Sequence, residues 1–224
     1  MHVGHTDVGF TKGVPSIAEI LSFEEPSVPA GASPWVVAPA PSAVEIVVYD
    51  PRWPEQANAL RDRITDALGT RAIRVEHVGS TSVPGLAAKP VIDLDLTVAD
   101  PADERVWLPR LQAMGFVLTV REPWWHEHRL LQAGEAAERL ADVSPLSGLT
   151  VNLHVFGPDS PELVKHVVFR NWLRTNAADR RLYEAVKRKA AKHPGQLVMD
   201  YNARKQAVIL EIYQRAFKAA GFLE

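Results

Sequence analysis

The chain has no cysteine among its 224 residues. That removes a disulfide framework, a thiolate nucleophile and any Cys-ligated zinc or iron–sulfur centre, and it fits a reducing compartment. It also has little net charge: 25 Lys and Arg stand against 27 Asp and Glu, giving −2. So weak a field draws in neither nucleic acid nor an anionic membrane, and a nucleic-acid partner is disfavoured. Long apolar runs are missing as well, since Val91–Val98 is interrupted by Asp93 and Asp95. Nothing approaches the roughly 20 residues a membrane span needs. Gly4, His5, Asp7 and Gly9 stand where a signal peptide would need Leu and Val. The expectation is a cytoplasmic protein with no membrane partner.

What is present is ordinary for a folded domain, 46% hydrophobic and 23% charged. The first 43 residues differ in texture, with Pro15, Pro26, Pro29, Pro34, Pro39 and Pro41 spaced too closely for a long helix. We expect a Pro-rich tail over 1–43 and one domain over 44–224. Within the tail, Ile17, Ile20 and Leu21 share a face of a short helix over Ser16–Phe23, and Trp35, Val36 and Val37 suit an edge strand.

From Val44 the punctuation is regular. Strands are expected at Val44–Tyr49, Ile73–Val78, Val91–Val98, Phe116–Arg121, Arg129–Gln132 and Leu149–Phe156. Ala57, Leu60, Ile64 and Leu68 mark an amphipathic helix over Trp53–Leu68, bounded by Pro54 and Gly69. Asp100 and Pro101 should open a second helix, with Leu108, Leu111 and Met114 on its inner face and Gly115 at its end. Gly134–Gly148 reads as an insertion. Ser160-Pro161 opens a helical third, broken near His193-Pro194-Gly195. The fold class is α+β (α/β): a mixed sheet flanked by helices, with a helical C-terminal part.

The chemistry concentrates between His77 and Asp95. In Gly79-Ser80-Thr81-Ser82 a strand ends on Gly and three hydroxyl residues, a turn able to offer backbone N–H groups and hydroxyls to a phosphate. It lacks the Gly-Lys-Ser ending of a Walker loop. In Val91–Val98 the alternation turns Asp93 and Asp95 to one face, about 6.5–7 Å apart at Cα. Two carboxylates so placed suit one hard cation, Mg²⁺ being usual beside phosphates. A strand whose polar face meets only water gives the same pattern.

Gly79-Ser80, a gap of 12 residues and then Asp93-Leu94-Asp95 resembles the polymerase-β type of nucleotidyltransferase. The longer string from His77-Val78-Gly79-Ser80-Thr81-Ser82-Val83-Pro84-Gly85 through Lys89-Pro90-Val91-Ile92-Asp93 resembles the GrpB family within that superfamily. Tyr49–Pro54, Asn152–Val155, Phe169-Arg170, Tyr183 and Lys187 agree with it. The resemblance implies that Gly79 and Ser80, with Thr81 and Ser82, meet nucleotide phosphates, that Asp93 and Asp95 hold Mg²⁺, and that a later strand adds a third carboxylate. That strand carries Thr150, Asn152 and His154 on the relevant face, with no acid. His154 is thereby the candidate to take a proton or bind metal.

Lys89 stands where it binds a phosphate or neutralises the aspartates, and Arg170 and Lys187 are candidate triphosphate cations. Trp124-Trp125-His126-Glu127-His128 either stacks a ring and binds a transition metal through its histidines or packs in the core. The resemblance implies an Mg²⁺-dependent enzyme moving a nucleoside monophosphate from a nucleoside triphosphate, ATP first, to a small-molecule acceptor, with an adenylate-forming ligase as a variant. A nucleotide-binding module without turnover is the alternative; the sequence leaves oligomeric state open.

Overall fold

A computed structural model describes residues 13–39, 43–134, 148–193, 195 and 197–224. The expectations for Gly4–Gly9, Pro41, Pro194 and the interior of the 134–148 segment fall outside these residues. Among the described residues five strands form one mixed sheet: β1 (Arg74–Val78), β2 (Val91–Thr97), β3 (Val117–Glu122), β4 (His128–Ala133) and β5 (Thr150–Phe156), in the order β1-β2-β5-β4-β3. The β2–β5 pair is parallel and the others antiparallel.

Among the described residues six helices accompany the sheet: α1 (Ile17–Leu21), α2 (Trp53–Leu68), α3 (Glu104–Ala113), α4 (Pro161–Thr175), α5 (Ala177–Ala190) and α6 (Val198–Ala219). None among the described residues is long and apolar enough to cross a membrane. The period seen at Ala57, Leu60, Ile64 and Leu68 puts these side chains of α2 in the core with Ile92, Leu94 and Leu96 of β2 and Leu153 of β5. Each fully buried Leu or Ile there contributes roughly 1.5–3 kcal/mol. Trp107 and Leu111 of α3 complete this layer. The helical C-terminal part lies against the opposite face.

Three expected elements differ. Val44–Tyr49 is not a strand; only Val47 pairs, with Ala88 in the loop before β2. Its partner region ends at Pro90, which has no N–H to extend a ladder. The helix after Asp100 starts later, because the Asp100 carboxylate accepts the Ala102 N–H and makes a turn, and α3 begins at Glu104. The C-terminal helices break at Asn176 as well as between Ala190 and Val198. Asn176 caps α5 through its side chain, accepting the Asp179 N–H at 2.9 Å.

The N-terminal segment lies on the body at two places. Ile20 and Phe23 pack with Tyr213 and Phe217 of α6, and Lys165 Nζ donates to the Ser22 carbonyl at 2.5 Å. Further on, Trp35 bridges Val120, and Val36 N–H donates to Thr119 O, covering the outer edge of β3.

Candidate functional site

Strand register builds the site in rungs. Asp93 stands beside Asn152 on β5, and Asn152 beside Gln132 on β4. Asp95 stands between Glu76 on β1 and His154 on β5, with Leu130 beyond. Paired residues on neighbouring strands share a face. The first rung is a donor chain: Gln132 Nε2 to Asn152 Oδ1 at 3.1 Å, then Asn152 Nδ2 to Asp93 Oδ1 at 2.9 Å. Burial raises the Asp93 pKa, opposed by Asn152 and by the positive charges of Lys89, Lys205 and His166.

Gly79 explains how the turn reaches this rung. It sits at φ +67°, ψ −170°, a region open to Gly almost alone. A Cβ there would stand 2.9 Å from Asp93 Cβ and Cγ and closer still to Oδ2. The absent side chain thus lets the turn lie directly on the Asp93 carboxylate, whose Oδ2 takes no hydrogen bond among the described residues.

Within the turn, only Ser80 keeps its hydroxyl uncommitted. Thr81 Oγ1 donates to Val91 O at 3.0 Å, and Ser82 Oγ donates to Gly79 O at 2.6 Å, both residues being buried. Each hydroxyl has one proton to give. Through these hydroxyls Thr81 and Ser82 hold the turn's shape, while Gly79 and Ser80 lie at its open side.

The basic residues divide likewise. Arg170 Nη1 donates to Glu76 Oε2 and to His77 O, both at 2.8 Å. Lys187 is 2% exposed and donates to Ala87 O at 2.5 Å; burial depresses its pKa to about 7, with Lys205 adding to the shift. Both side chains are engaged by main-chain carbonyls of this region, His77 O and Ala87 O. Arg174 does the same, donating to Ser82 O at 2.8 and 3.0 Å. Helices α4 and α5 thus anchor the Gly79 loop by its own carbonyls. The charges of Lys89 and Lys205 pull the Asp93 pKa down, and burial lowers the Lys89 pKa against the pull of Asp93.

Asp95, 1% exposed, meets a residue the sequence reading passed over. His166 Nδ1 lies 2.9 and 3.1 Å from its two oxygens. Burial alone would lower the His166 pKa, but the Asp95 charge and hydrogen bond outweigh it and lift it to about 9. Glu162, His166 and Arg170 recur every four residues on α4, so extending the period back from Arg170 reaches it.

His154 Nδ1 lies 3.0 Å from His128 Nε2, and His128 Nδ1 lies 2.7 Å from Glu122 Oε2. Burial pushes both imidazoles down to about 3. His126 and His128 part company: His126 is exposed in the β3–β4 turn at φ +51°, whereas His128 is buried. Among the described residues, no group of three or more His, Asp or Glu is arranged around a common metal position. The remaining donor set, Asp93 Oδ2 and Asp95 beside a Gly cradle, fits Mg²⁺, which binds one or two carboxylates and completes its shell with water and substrate phosphates.

A family model described as GrpB protein matches residues 43–215. A UPF0157 protein of Halalkalibacterium halodurans is 42% identical over 178 residues, covering 80% of this chain and 85% of that protein. A protein named dephospho-CoA kinase in Mycolicibacterium paratuberculosis is 33% identical over 194 residues, 81% of this chain but 47% of its own length. Among solved structures, the conserved protein GrpB of Enterococcus faecalis superposes with a TM-score of 0.66 at 29% identity, over 79% of this chain and 99% of that one.

Proposed function

This chain belongs to the GrpB family, and from that premise we propose that it binds a nucleoside triphosphate, ATP in the first instance, with Mg²⁺ and transfers the nucleoside monophosphate to a small-molecule acceptor. The observation that carries the reading is Gly79 lying on Asp93, which brings the Gly79–Ser82 turn against the strand whose two carboxylates face one way. Ser80 and the backbone of the turn bind phosphate oxygens; Asp93 and Asp95 hold the cation. Mg²⁺, when bound, supplies charge neutralisation at the reacting phosphate. The Asn152–Gln132 chain aims Asp93, and Arg170, Arg174 and Lys187 keep the loop seated for the nucleotide. With a carboxylate acceptor the product is an adenylate, which an amine then converts to an amide. The kinase name of the longer mycobacterial relative belongs to a protein of which this chain matches 47% and is not carried over.

A second reading, a nucleotide-binding module without turnover, is favoured by one feature. β5 brings no carboxylate to the Asp95 rung, and His166 already occupies both Asp95 oxygens. Pyrophosphate release from ATP and Mg²⁺ against a panel of hydroxyl, amine and carboxylate acceptors separates the two. Release with any acceptor that is lost in Asp93→Asn supports transfer; saturable ATP binding without release from the whole panel supports the module.

A further inference from the structure

Glu122, His128 and His154 form a hydrogen-bonded line across β3, β4 and β5 that nucleotide binding leaves unused. Register places Glu122 opposite His128, and His128 one rung beyond the Leu130–His154 pair on the same sheet face. The contacts are 2.7 Å from Glu122 Oε2 to His128 Nδ1 and 3.0 Å from His128 Nε2 to His154 Nδ1. His128 stacks on both His154 and Phe156, with ring centroids 5.2 and 4.8 Å away, so the ring is fixed in plane as well as in reach.

Counting protons along this line assigns each nitrogen. Both rings are neutral at pH 7, each with one N–H. A carboxylate only accepts, so the His128 proton lies on Nδ1 and faces Glu122. His128 Nε2 is then bare and must accept, which places the His154 proton on Nδ1. His154 Nε2 is left with a lone pair on the side of the ring away from β4. Among the described residues it has no hydrogen-bond partner, and the ring lies 6.0 Å from that of His166, the α4 residue bonded to Asp95.

We propose that Glu122 and His128 are positioning residues that hold His154 in its Nδ1–H form, so that His154 Nε2 accepts a hydrogen bond from the acceptor's O–H or N–H and orients it for transfer. The catalytic half of this proposal rests on the nucleotidyltransferase reading. His154 is thereby oriented through His128 by the partly exposed Glu122 carboxylate.

The test is two-bond ¹H–¹⁵N correlation of the full chain carrying ¹⁵N-histidine at pH 7, with the His154 signals identified by their loss in His154→Asn. A single Nδ1–H pattern for His154 in the wild type, giving way to a mixture of tautomers in Glu122→Gln and in His128→Gln, is expected. An N–H on Nε2 in the wild type overturns the proposal, because it means that Glu122 carries the proton and the line runs in reverse. An unchanged pattern in a folded Glu122→Gln overturns the positioning role. Titration with Mg²⁺ and ATP keeps the two readings apart: Glu122→Gln should bind within about twofold of the wild type. Absence of wild-type ATP binding fells the nucleotide reading and the catalytic role with it, while the tautomer result still decides the positioning.

Discussion

Replacing Gly79 by Ala tests the joint between the turn and the metal-facing carboxylate. The backbone at φ +67°, ψ −170° costs a non-Gly residue about 1–3 kcal/mol. The new methyl meets Asp93 Cβ and Cγ at 2.9 Å, and relieving such overpacking costs roughly a further 1–3 kcal/mol. Asp93 cannot easily yield, since Oδ1 is tied to Asn152. The sum is about 2–6 kcal/mol, a fall in Tm of roughly 5–20 °C for a chain of this size. Gly85→Ala is the control: its φ is +76°, but a Cβ there meets nothing within 4 Å, so backbone strain of about 1–2 kcal/mol is all it should show. Urea unfolding of both variants gives the difference. Gly79→Ala should also weaken Mg²⁺–ATP binding at least tenfold while Gly85→Ala spares more of it. Equal destabilisation within about 0.5 kcal/mol would refute the packing of the turn on Asp93.

Three further outcomes follow from burial and charge. Lys187 holds a proton less readily in the folded chain, about 7 against 10.5 unfolded, so the unfolded state binds more protons between those values. Stability should therefore rise from pH 7 to 10.5, and Lys187→Met should flatten the rise, as read by urea midpoints across pH. His128 and His154 are depressed from 6.5 to about 3, so stability should fall as the pH drops through that window, with a smaller fall in His128→Gln. An acid limb identical in wild type and variant would contradict the buried neutral imidazoles. Ile20→Ala should destabilise the whole chain by about 2–4 kcal/mol in one cooperative transition, because Ile20 is buried against Tyr213 and Phe217. An unchanged midpoint would mean that α1 contributes nothing to the fold.

Much of this geometry was legible in the order of residues. Alternation put Asp93 and Asp95 on one face, and the β2–β5 register set Asn152 and His154 beside them. Helical spacing found the buried face of α2 from four positions. Local pattern failed where the outcome depended on distant chain. Val44–Tyr49 has β-branched residues but finds a single pairing, at Val47. The bonds of Arg170 and Lys187 to the His77 and Ala87 carbonyls leave no local signal, because the partners are 93 and 100 residues away. The bonds of the Thr81 and Ser82 hydroxyls form only once β2 is in place and the turn closes. His166 was missed although it lies four residues from Arg170 on the same helical face, since its partner Asp95 is 71 residues away.

Calorimetric titration of ATP and GTP, each with Mg²⁺, into the wild type and into Asp93→Asn with Asp95→Asn is the most direct test of the site. We predict saturable binding in the wild type that requires Mg²⁺ and is lost when both aspartates are neutral. No heat of binding in the wild type, or binding indifferent to both Mg²⁺ and the aspartates, would contradict the assignment of this sheet face to a nucleotide.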